Sequence, residues 1–120
     1  MKERVFKTSW FARAARKAHI GDAALCRAIA QVKRGQADDL GGGVFKKRLN
    51  DNRHRSIILA RSGRFWVYEY LFAKQDRANI DAHELAQFRK LAKAYEGLTE
   101  PQIDALLAGG DFLEICHDQG

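Results

Sequence analysis

Apolar residues at helical spacing mark two segments within the first 35 residues. Val5 and Phe6 predict a short first strand, after which Trp10–His19 is predicted to form a helix rich in alanine. A second helix is predicted from Asp22, which can serve as its N-cap, to Gly35, a residue type that ends helices. Residues 1–35 are therefore expected to contain a short strand and a helical hairpin whose outer face is basic.

The apolar pattern changes its period between residues 44 and 72. Three runs rich in branched and aromatic residues are bounded there by turn-forming residues: Val44–Leu49, His54–Arg61 and Phe65–Phe72. Asp51-Asn52 and Ser62-Gly63 have the composition of two-residue hairpin loops. The segment is therefore predicted to be a three-stranded antiparallel meander.

Residues 81–120 return to a helical period and are predicted to form a helical C-terminal extension. Asp81 and Glu84 have the spacing of a capping box, and a second helix is predicted from Thr99 to Gly109. Phe112–Cys116 can be a last strand or an extended tail. The whole chain is thus predicted to be one α+β domain, residues 1–120, in which an N-terminal helical hairpin packs on a small antiparallel sheet and C-terminal helices follow.

Charge is divided unevenly along the chain. The 120 residues have a formal net charge of +6, and residues 1–80 hold 18 basic and 7 acidic side chains, whereas residues 81–120 hold 3 basic and 8 acidic ones. A basic surface of this density attracts phosphate groups. The same side chains also keep a protein soluble, so composition alone leaves both interpretations open.

Membrane, secreted and metal-binding classes are not indicated by the sequence. The longest apolar runs, such as Ile57–Ala60 and Tyr70–Ala73, have four residues, where a membrane span needs about 20. The N-terminal segment lacks the apolar core of a signal peptide, so a cytoplasmic location is expected. Cys26 and Cys116 have no metal-ligand spacing and do not make a disulfide framework, and Cys26 is expected to be buried and inert. No metal or other cofactor is expected.

Hairpin geometry brings three cations together on the predicted sheet. A two-residue turn at Asp51-Asn52 places Arg48 opposite Arg55 and Lys46 opposite Ile57. Because side chains alternate between the two faces of a sheet, Lys46, Arg48 and Arg55 share one face. Cations placed opposite each other repel, so the arrangement is favourable when an anion binds among them.

Phosphodiester chemistry in RNA suits such a cluster. Arginine can hold a phosphate and stabilise the extra charge of its transition state, and a lysine among other cations can serve as a general base. The second turn is predicted to place Tyr70 opposite Arg55 and Tyr68 opposite Ile57, so either tyrosine could stack on a splayed base. The alternative is that these cations only solvate an exposed sheet face.

Two segments, Asp39–Leu49 (DLGGGVFKKRL) and Phe72–Ile80 (FAKQDRANI), resemble those of the RelE/ParE superfamily of bacterial type II toxin–antitoxin toxins. The resemblance extends from Val5 to Cys116 and is to a RelE-like, HigB-like branch that has a longer C-terminal helical extension. It implies a RelE-like microbial RNase fold. It also implies cleavage of mRNA on the ribosome, in which the RNA 2′-hydroxyl attacks the neighbouring phosphate and leaves a 2′,3′-cyclic phosphate. The implied partner is a cognate antitoxin of the helix-turn-helix type.

The resemblance also implies roles for individual residues. Lys46, as general base, and Arg48 and Arg55, as phosphate ligands, match the family's catalytic positions. Residues expected to contact RNA are Lys47, Tyr70, Lys74 and Arg77. The chain departs from RelE at Gln75, where an arginine is expected, and at Asp81, where RelE has a tyrosine that stacks on the target base. Arg55 is expected to be exposed, so that Arg55→Ala should remove toxicity and leave folding nearly intact.

Two other functions remain open from the sequence. A ParE-like toxin of the same fold would inhibit DNA gyrase without cleaving RNA, and an inactive relative would keep only RNA binding. The basic cluster favours the nuclease, since inhibition of gyrase through protein contacts does not need a phosphate-binding triad.

Overall fold

The computed structural model describes residues 3–61 and 64–117 of the chain, and the predicted turn at Ser62-Gly63 lies outside them. The elements in that part of the chain are β1 Arg4–Thr8, α1 Ser9–Lys17, α2 Asp22–Lys33, β2 Asp38–Gly41, β3 Val44–Leu49, β4 His54–Arg61, β5 Phe65–Ala73, α3 Ala82–Glu96, α4 Glu100–Ala108 and β6 Phe112–Ile115. This is an α+β fold, as predicted. None of the described helices combines the length and the apolar character that crossing a membrane requires.

The described strands form one sheet in the order β2-β3-β4-β5-β1-β6. β1 is parallel to β5, and the other neighbouring strands are antiparallel. The predicted meander is its β3-β4-β5 part, and of the two alternatives for Phe112–Cys116 the strand is the one observed. β2 was not predicted, because Asp38–Gly41 lacks the β-branched and aromatic residues that favour strands.

The expectation of an N-terminal helical hairpin needs correction. The chain enters the sheet first through β1, which lies between β5 and β6, and α1 and α2 then connect β1 with β2. The two helices bury Phe11, Leu25 and Ile29 against Ile58 and Tyr68 on one face of the sheet. On the opposite face, α3 and α4 pack against two further clusters of buried strand residues: Val44, Ile57, Leu59 and Phe72 under α3, and Phe6, Phe65, Val67 and Phe112 under α4.

Helix starts agree with the sequence except at α2. The predicted capping box of α3 is present, with Asp81 accepting from the Glu84 backbone N–H at 2.8 Å and the Glu84 carboxylate accepting from the Asp81 N–H at 2.9 Å. At α2, however, the N-cap is Gly21 and Asp22 is the first helical residue. The Asp22 carboxylate is instead paired with Lys7 Nζ at 2.7 Å. This ion pair joins Asp22 to β1, a contact that rules for helix capping do not consider.

The glycine run forms a tight hairpin between β2 and β3. Gly42 and Gly43 are its two central residues, with φ of 66° and 83°, as two-residue turns of this kind require. Arg89 on α3 lies over the turn, with its guanidinium donating to the carbonyl oxygens of Leu40 and Gly41. The glycines therefore combine a left-handed backbone with close approach of α3.

Replacing Gly42 with alanine is expected to lower the free energy of unfolding by about 1–2 kcal/mol. The new Cβ would meet a positive φ and would lie 2.8 Å from Arg89 Cγ, so the arginine must move. Urea denaturation measures the effect. Gly97→Ala is the matched control, since Gly97 has φ −86° and its Cβ would find Ala94 O at 3.7 Å. Equal stability of the two variants would contradict this account of the turn.

A β-bulge at Glu69 changes which side chains of β5 face α3. Ile57 pairs with Tyr70 and Ile58 with Tyr68, which leaves Glu69 as the extra residue. The predicted pairing of Tyr70 with Arg55 was therefore wrong, and Phe72 lies opposite Arg55 instead. Part of the shift arises earlier, because the pair Arg61–Phe65 leaves three residues between β4 and β5 rather than two.

The Glu69 side chain projects from the bulge towards α3, where its carboxylate accepts a hydrogen bond from Tyr95 Oη at 2.7 Å. Burial raises the pKa of Glu69 above its ordinary value of 4.5, and the bond from Tyr95 only partly opposes that effect. Because the folded state then holds the proton more tightly than the unfolded state, ionisation of Glu69 costs stability as the pH rises through this window.

Glu69→Gln is expected to remove this pH dependence while keeping an acceptor for Tyr95. As the pH rises from about 4 to about 7, the free energy of unfolding of the variant should increase relative to that of the wild type. Urea denaturation of both proteins over this range is the measurement. Parallel pH profiles would show that Glu69 is not desolvated as described.

A disulfide joins Cys26 of α2 to Cys116, the residue after β6, across a sequence separation of 90. The expectation that these cysteines make no disulfide was wrong, although Cys26 is buried as predicted. α2 and the end of β6 pack in the same core cluster, which brings the two Cα atoms to 5.5 Å, within the range of a disulfide.

Candidate functional site

The β3–β4 hairpin has the predicted register. Lys46 pairs with Ile57 and Arg48 with Arg55, and the last pair, Leu49 with His54, leaves four residues in the turn. Asn50, Asp51 and Asn52 have φ of 55°, 54° and 70°, and the Arg53 N–H donates to the Asn50 carbonyl at 3.1 Å, so Asp51 and Asn52 are the central residues of the turn. Lys46 and Arg48 therefore lie on the same face of the sheet as Val44, and α3 packs on this face at the Val44 end of β3. Val44 is fully buried, whereas Arg48 is exposed, so the cations lie at the uncovered end of this face.

Lys46 is held in place by groups from two neighbouring segments. Its Nζ donates to Asn79 Oδ1 at 3.3 Å and lies 3.8 Å from the carboxylate of Asp38 on β2. Asn79 Oδ1 also accepts from the Ile80 N–H at 2.9 Å, which fixes the amide. Sequence reasoning did not identify Asn79 or Asp38, although Asn79 lies within the FAKQDRANI segment.

Arg77 braces the loop between β5 and α3. Its Nε donates to the Asn79 carbonyl at 3.0 Å, and its guanidinium is paired with the carboxylate of Glu84 in the first turn of α3. The Glu84 pair raises the pKa of Arg77, and the same contact, with help from the Asp81 N–H, lowers the pKa of Glu84 to about 2. Since Arg77 is committed to these partners, it positions Asn79 rather than presenting an unpaired cation.

Arg55 is buried, which corrects the expectation that it is exposed. Only 8% of the residue is accessible, and its Nη1 donates to the carbonyl oxygens of Asn52 at 2.9 Å and His54 at 3.2 Å. Arg55 therefore holds the β3–β4 turn that presents Arg48. Arg55→Ala would remove this support, so it is not the clean test of the surface that the sequence indicated.

The two tyrosines considered for base stacking lie on opposite faces. Tyr68 is fully buried beneath α1 and α2, where its hydroxyl donates to the Leu25 carbonyl at 2.7 Å, so it cannot stack on a ligand. Tyr70 is half-buried, and its ring stacks on that of Trp10 with centroids 5.1 Å apart. Arg77 Nη1 lies 3.5 Å from the Tyr70 hydroxyl. Trp10 was missed because its partner lies 60 residues away.

The remaining predicted residues are divided between the two faces. Lys74 is exposed, and its backbone N–H donates to the Arg53 carbonyl at 2.9 Å, which places it beside the β3–β4 turn. Lys47 lies on the other face, with its Nζ donating to the Gln36 carbonyl at 2.9 Å. Burial and nearby cations, Arg34 and Arg48, lower the pKa of Lys47. The structure thus does not bring Lys47 together with Lys46.

The two departures from the RelE pattern have different structural settings. Asp81 is the N-cap of α3, so a tyrosine there would lose the cap. Gln75 is exposed in the loop after β5. His54 is turned from Arg55, as alternation predicts, with its Nδ1 3.1 Å from Asn50 Nδ2, and burial together with Arg53 lowers the pKa of His54.

These contacts define one surface, called here the basic sheet end: Lys46, Arg48 and Lys74, with Asn79 and Arg77 behind them. A family model described as the RelE toxin of the RelE / RelB toxin-antitoxin system matches residues 3–115. The chain belongs to the RelE toxin family. The match includes every residue of the basic sheet end, and it confirms the superfamily that the sequence segments resemble. No curated protein matches this RelE-family chain.

Membership of the RelE family makes the protein the toxin of a toxin–antitoxin system, with an antitoxin as its partner. The basic sheet end of this RelE-family toxin is chemically suited to a polyanion. Arg48 and Lys74 present exposed cations, while Lys46 is held by Asn79 at a defined position.

Proposed function

We propose that this RelE-family toxin is a ribosome-dependent mRNA endonuclease that inhibits translation, with the basic sheet end as its active site. The observation that carries the proposal is the alternation of Lys46 and Arg48 along β3 at the end that α3 leaves uncovered. The family match supports the toxin role, and the position of Lys46 beside Arg48 on one face of β3 supports the choice of site.

The proposed reaction is an internal transesterification of RNA. The Lys46 amine takes the proton of the 2′-hydroxyl, whose oxygen attacks the adjacent phosphorus. The P–O5′ bond breaks, which leaves a 2′,3′-cyclic phosphate on one product, and the departing 5′-oxygen takes a proton from water to give a 5′-hydroxyl on the other. Arg48 stabilises the charge that accumulates on the phosphate oxygens, and Lys74 binds the neighbouring backbone.

Two of the predicted site residues, Arg55 and Arg77, act indirectly in this proposal. Arg55 holds the turn through the carbonyl oxygens of Asn52 and His54, so it positions Arg48. Arg77 holds the backbone of Asn79, whose side chain orients Lys46. The antitoxin, proposed to be of the helix-turn-helix type, would cover the basic sheet end and block access of RNA.

Primer extension on a defined mRNA tests the proposal. Purified toxin is incubated with the mRNA in the presence and absence of translating ribosomes. A toxin acting on ribosomes works in the cytoplasm, where disulfides are uncommon. Each reaction is therefore run twice, once with the Cys26–Cys116 bond intact and once with it reduced. Cuts inside codons that need ribosomes would support the endonuclease.

Intact mRNA under every condition would contradict the proposal. A supercoiling assay with DNA gyrase then separates the remaining functions, because a ParE-like toxin would inhibit gyrase. A protein that binds RNA but neither cleaves it nor inhibits gyrase would be the inactive RNA-binding relative.

A further inference from the structure

A groove of about 630 Å³ lies between α1 and the end of β5, next to the basic sheet end. One face of α1 lines it with Trp10, Arg13, Ala14 and Lys17, which are spaced so that they lie on one side of a helix. Tyr70 and the loop after β5 form the opposite wall. The volume is in the range of sites that hold a small organic ligand.

Trp10 is unusually exposed for its size. It is 44% accessible, although its ring stacks on that of Tyr70 at an interplanar angle of 26°. Tyr70 is in turn packed against Phe72 and Phe88, which fixes the platform. Because one face of the indole lies on Tyr70, the accessible area belongs to its other face and edge, where a further planar ring can stack.

The groove is also cationic. Arg13 and Lys17 are exposed on its helical wall, and α1 contains no acidic residue. The loop wall adds Arg77, which is paired with Glu84, and one carboxylate, Asp76. An exposed aromatic face beside cations is the combination by which proteins bind single-stranded nucleic acid, with bases stacked and the backbone held by charge.

Arg77 connects the groove with the basic sheet end. Tyr70 and Arg77 line the groove, and Arg77 also holds Asn79, which binds Lys46. An RNA strand with a phosphate at Lys46 can therefore continue along the protein surface into the groove.

We propose that this groove binds a nucleotide of single-stranded RNA flanking the cleaved bond, with its base stacked on Trp10 and its phosphate between Arg13 and Lys17. The inference rests on the proposed endonuclease function and extends it from the reacting phosphate to the adjoining nucleotide. It assigns to α1 a part in substrate binding.

Binding of a labelled single-stranded oligoribonucleotide with 2′-O-methyl riboses tests the inference, because this probe lacks the attacking hydroxyl and cannot be cleaved. Fluorescence anisotropy is measured over a range of salt concentrations. Trp10→Ala is expected to weaken binding about 10-fold or more, with partial recovery in Trp10→Phe. Because one phosphate is held between them, Arg13→Ala/Lys17→Ala should make the slope of log affinity against log salt shallower by about 0.7.

Arg16→Ala is the matched control, since Arg16 is an exposed cation on the same helix that does not line the groove; a change below about threefold is expected. Wild-type affinity for the oligoribonucleotide in the Trp10 and Arg13/Lys17 variants would overturn the inference. If those variants keep RNA affinity but lose antitoxin binding, the groove is assigned to the protein partner. Trp10-dependent RNA binding by a toxin that never cleaves mRNA would support the groove and overturn only the endonuclease.

Discussion

Lys46→Ala is expected to lower the rate of mRNA cleavage at least about 100-fold, the usual effect of removing a general base. The folded structure should be nearly unaffected. The Lys46 ion pair with Asp38 spans 3.8 Å, and the Asp38 side chain is 64% exposed, so the pair contributes less than about 1 kcal/mol. Single-turnover primer extension gives the rate, and thermal unfolding confirms the fold.

Lys47→Ala is the control for this variant. It removes the same side chain from the next residue of β3, but Lys47 lies on the other face with its Nζ on the Gln36 carbonyl. Cleavage close to that of the wild type is expected. If both variants lose activity equally, the effect comes from the charge of the strand and the assignment of Lys46 fails. Full activity in Lys46→Ala would also reject it.

Opening the Cys26–Cys116 disulfide is expected to lower the free energy of unfolding by about 4 kcal/mol. The bond closes a loop with a sequence separation of 90, and in the chain-entropy account a crosslink over such a length greatly restricts the unfolded chain. Urea denaturation with and without a reductant measures the loss.

The double variant Cys26→Ser/Cys116→Ser separates the disulfide from other effects of the reductant. Its stability should match that of the reduced wild type and should not respond to reductant. Equal midpoints for the oxidised and reduced wild type, with thiol labelling confirming the two states, would contradict the expected contribution.

Features set by neighbouring residues were predictable from the sequence. The capping box of α3 needs only Asp81 and Glu84 at their spacing. The β3–β4 register follows from Asp51 and Asn52, residue types that tolerate a positive φ. These predictions placed Lys46 and Arg48 on one face, since alternation along a short strand leaves no other arrangement.

Features that depend on distant parts of the chain were not predictable in the same way. The bulge at Glu69 is an irregularity of pairing that no local pattern marks, and it moved Tyr70 away from its predicted place opposite Arg55. Arg55 is buried, and its guanidinium is satisfied there by two carbonyl oxygens of the turn, an arrangement that depends on the folded turn. The contact of Trp10 with Tyr70 likewise arises only when α1 is placed beside β5.

The Cys26–Cys116 bond also makes residues 26–116 a closed covalent ring. A protease that cuts once within this ring leaves both pieces attached, so a nicked toxin keeps its full mass until it is reduced. The ring also ties β6, at the edge of the sheet, to α2 of the same molecule. While the bond is closed, two copies cannot exchange β6, and an exchanged dimer could form only from reduced chains.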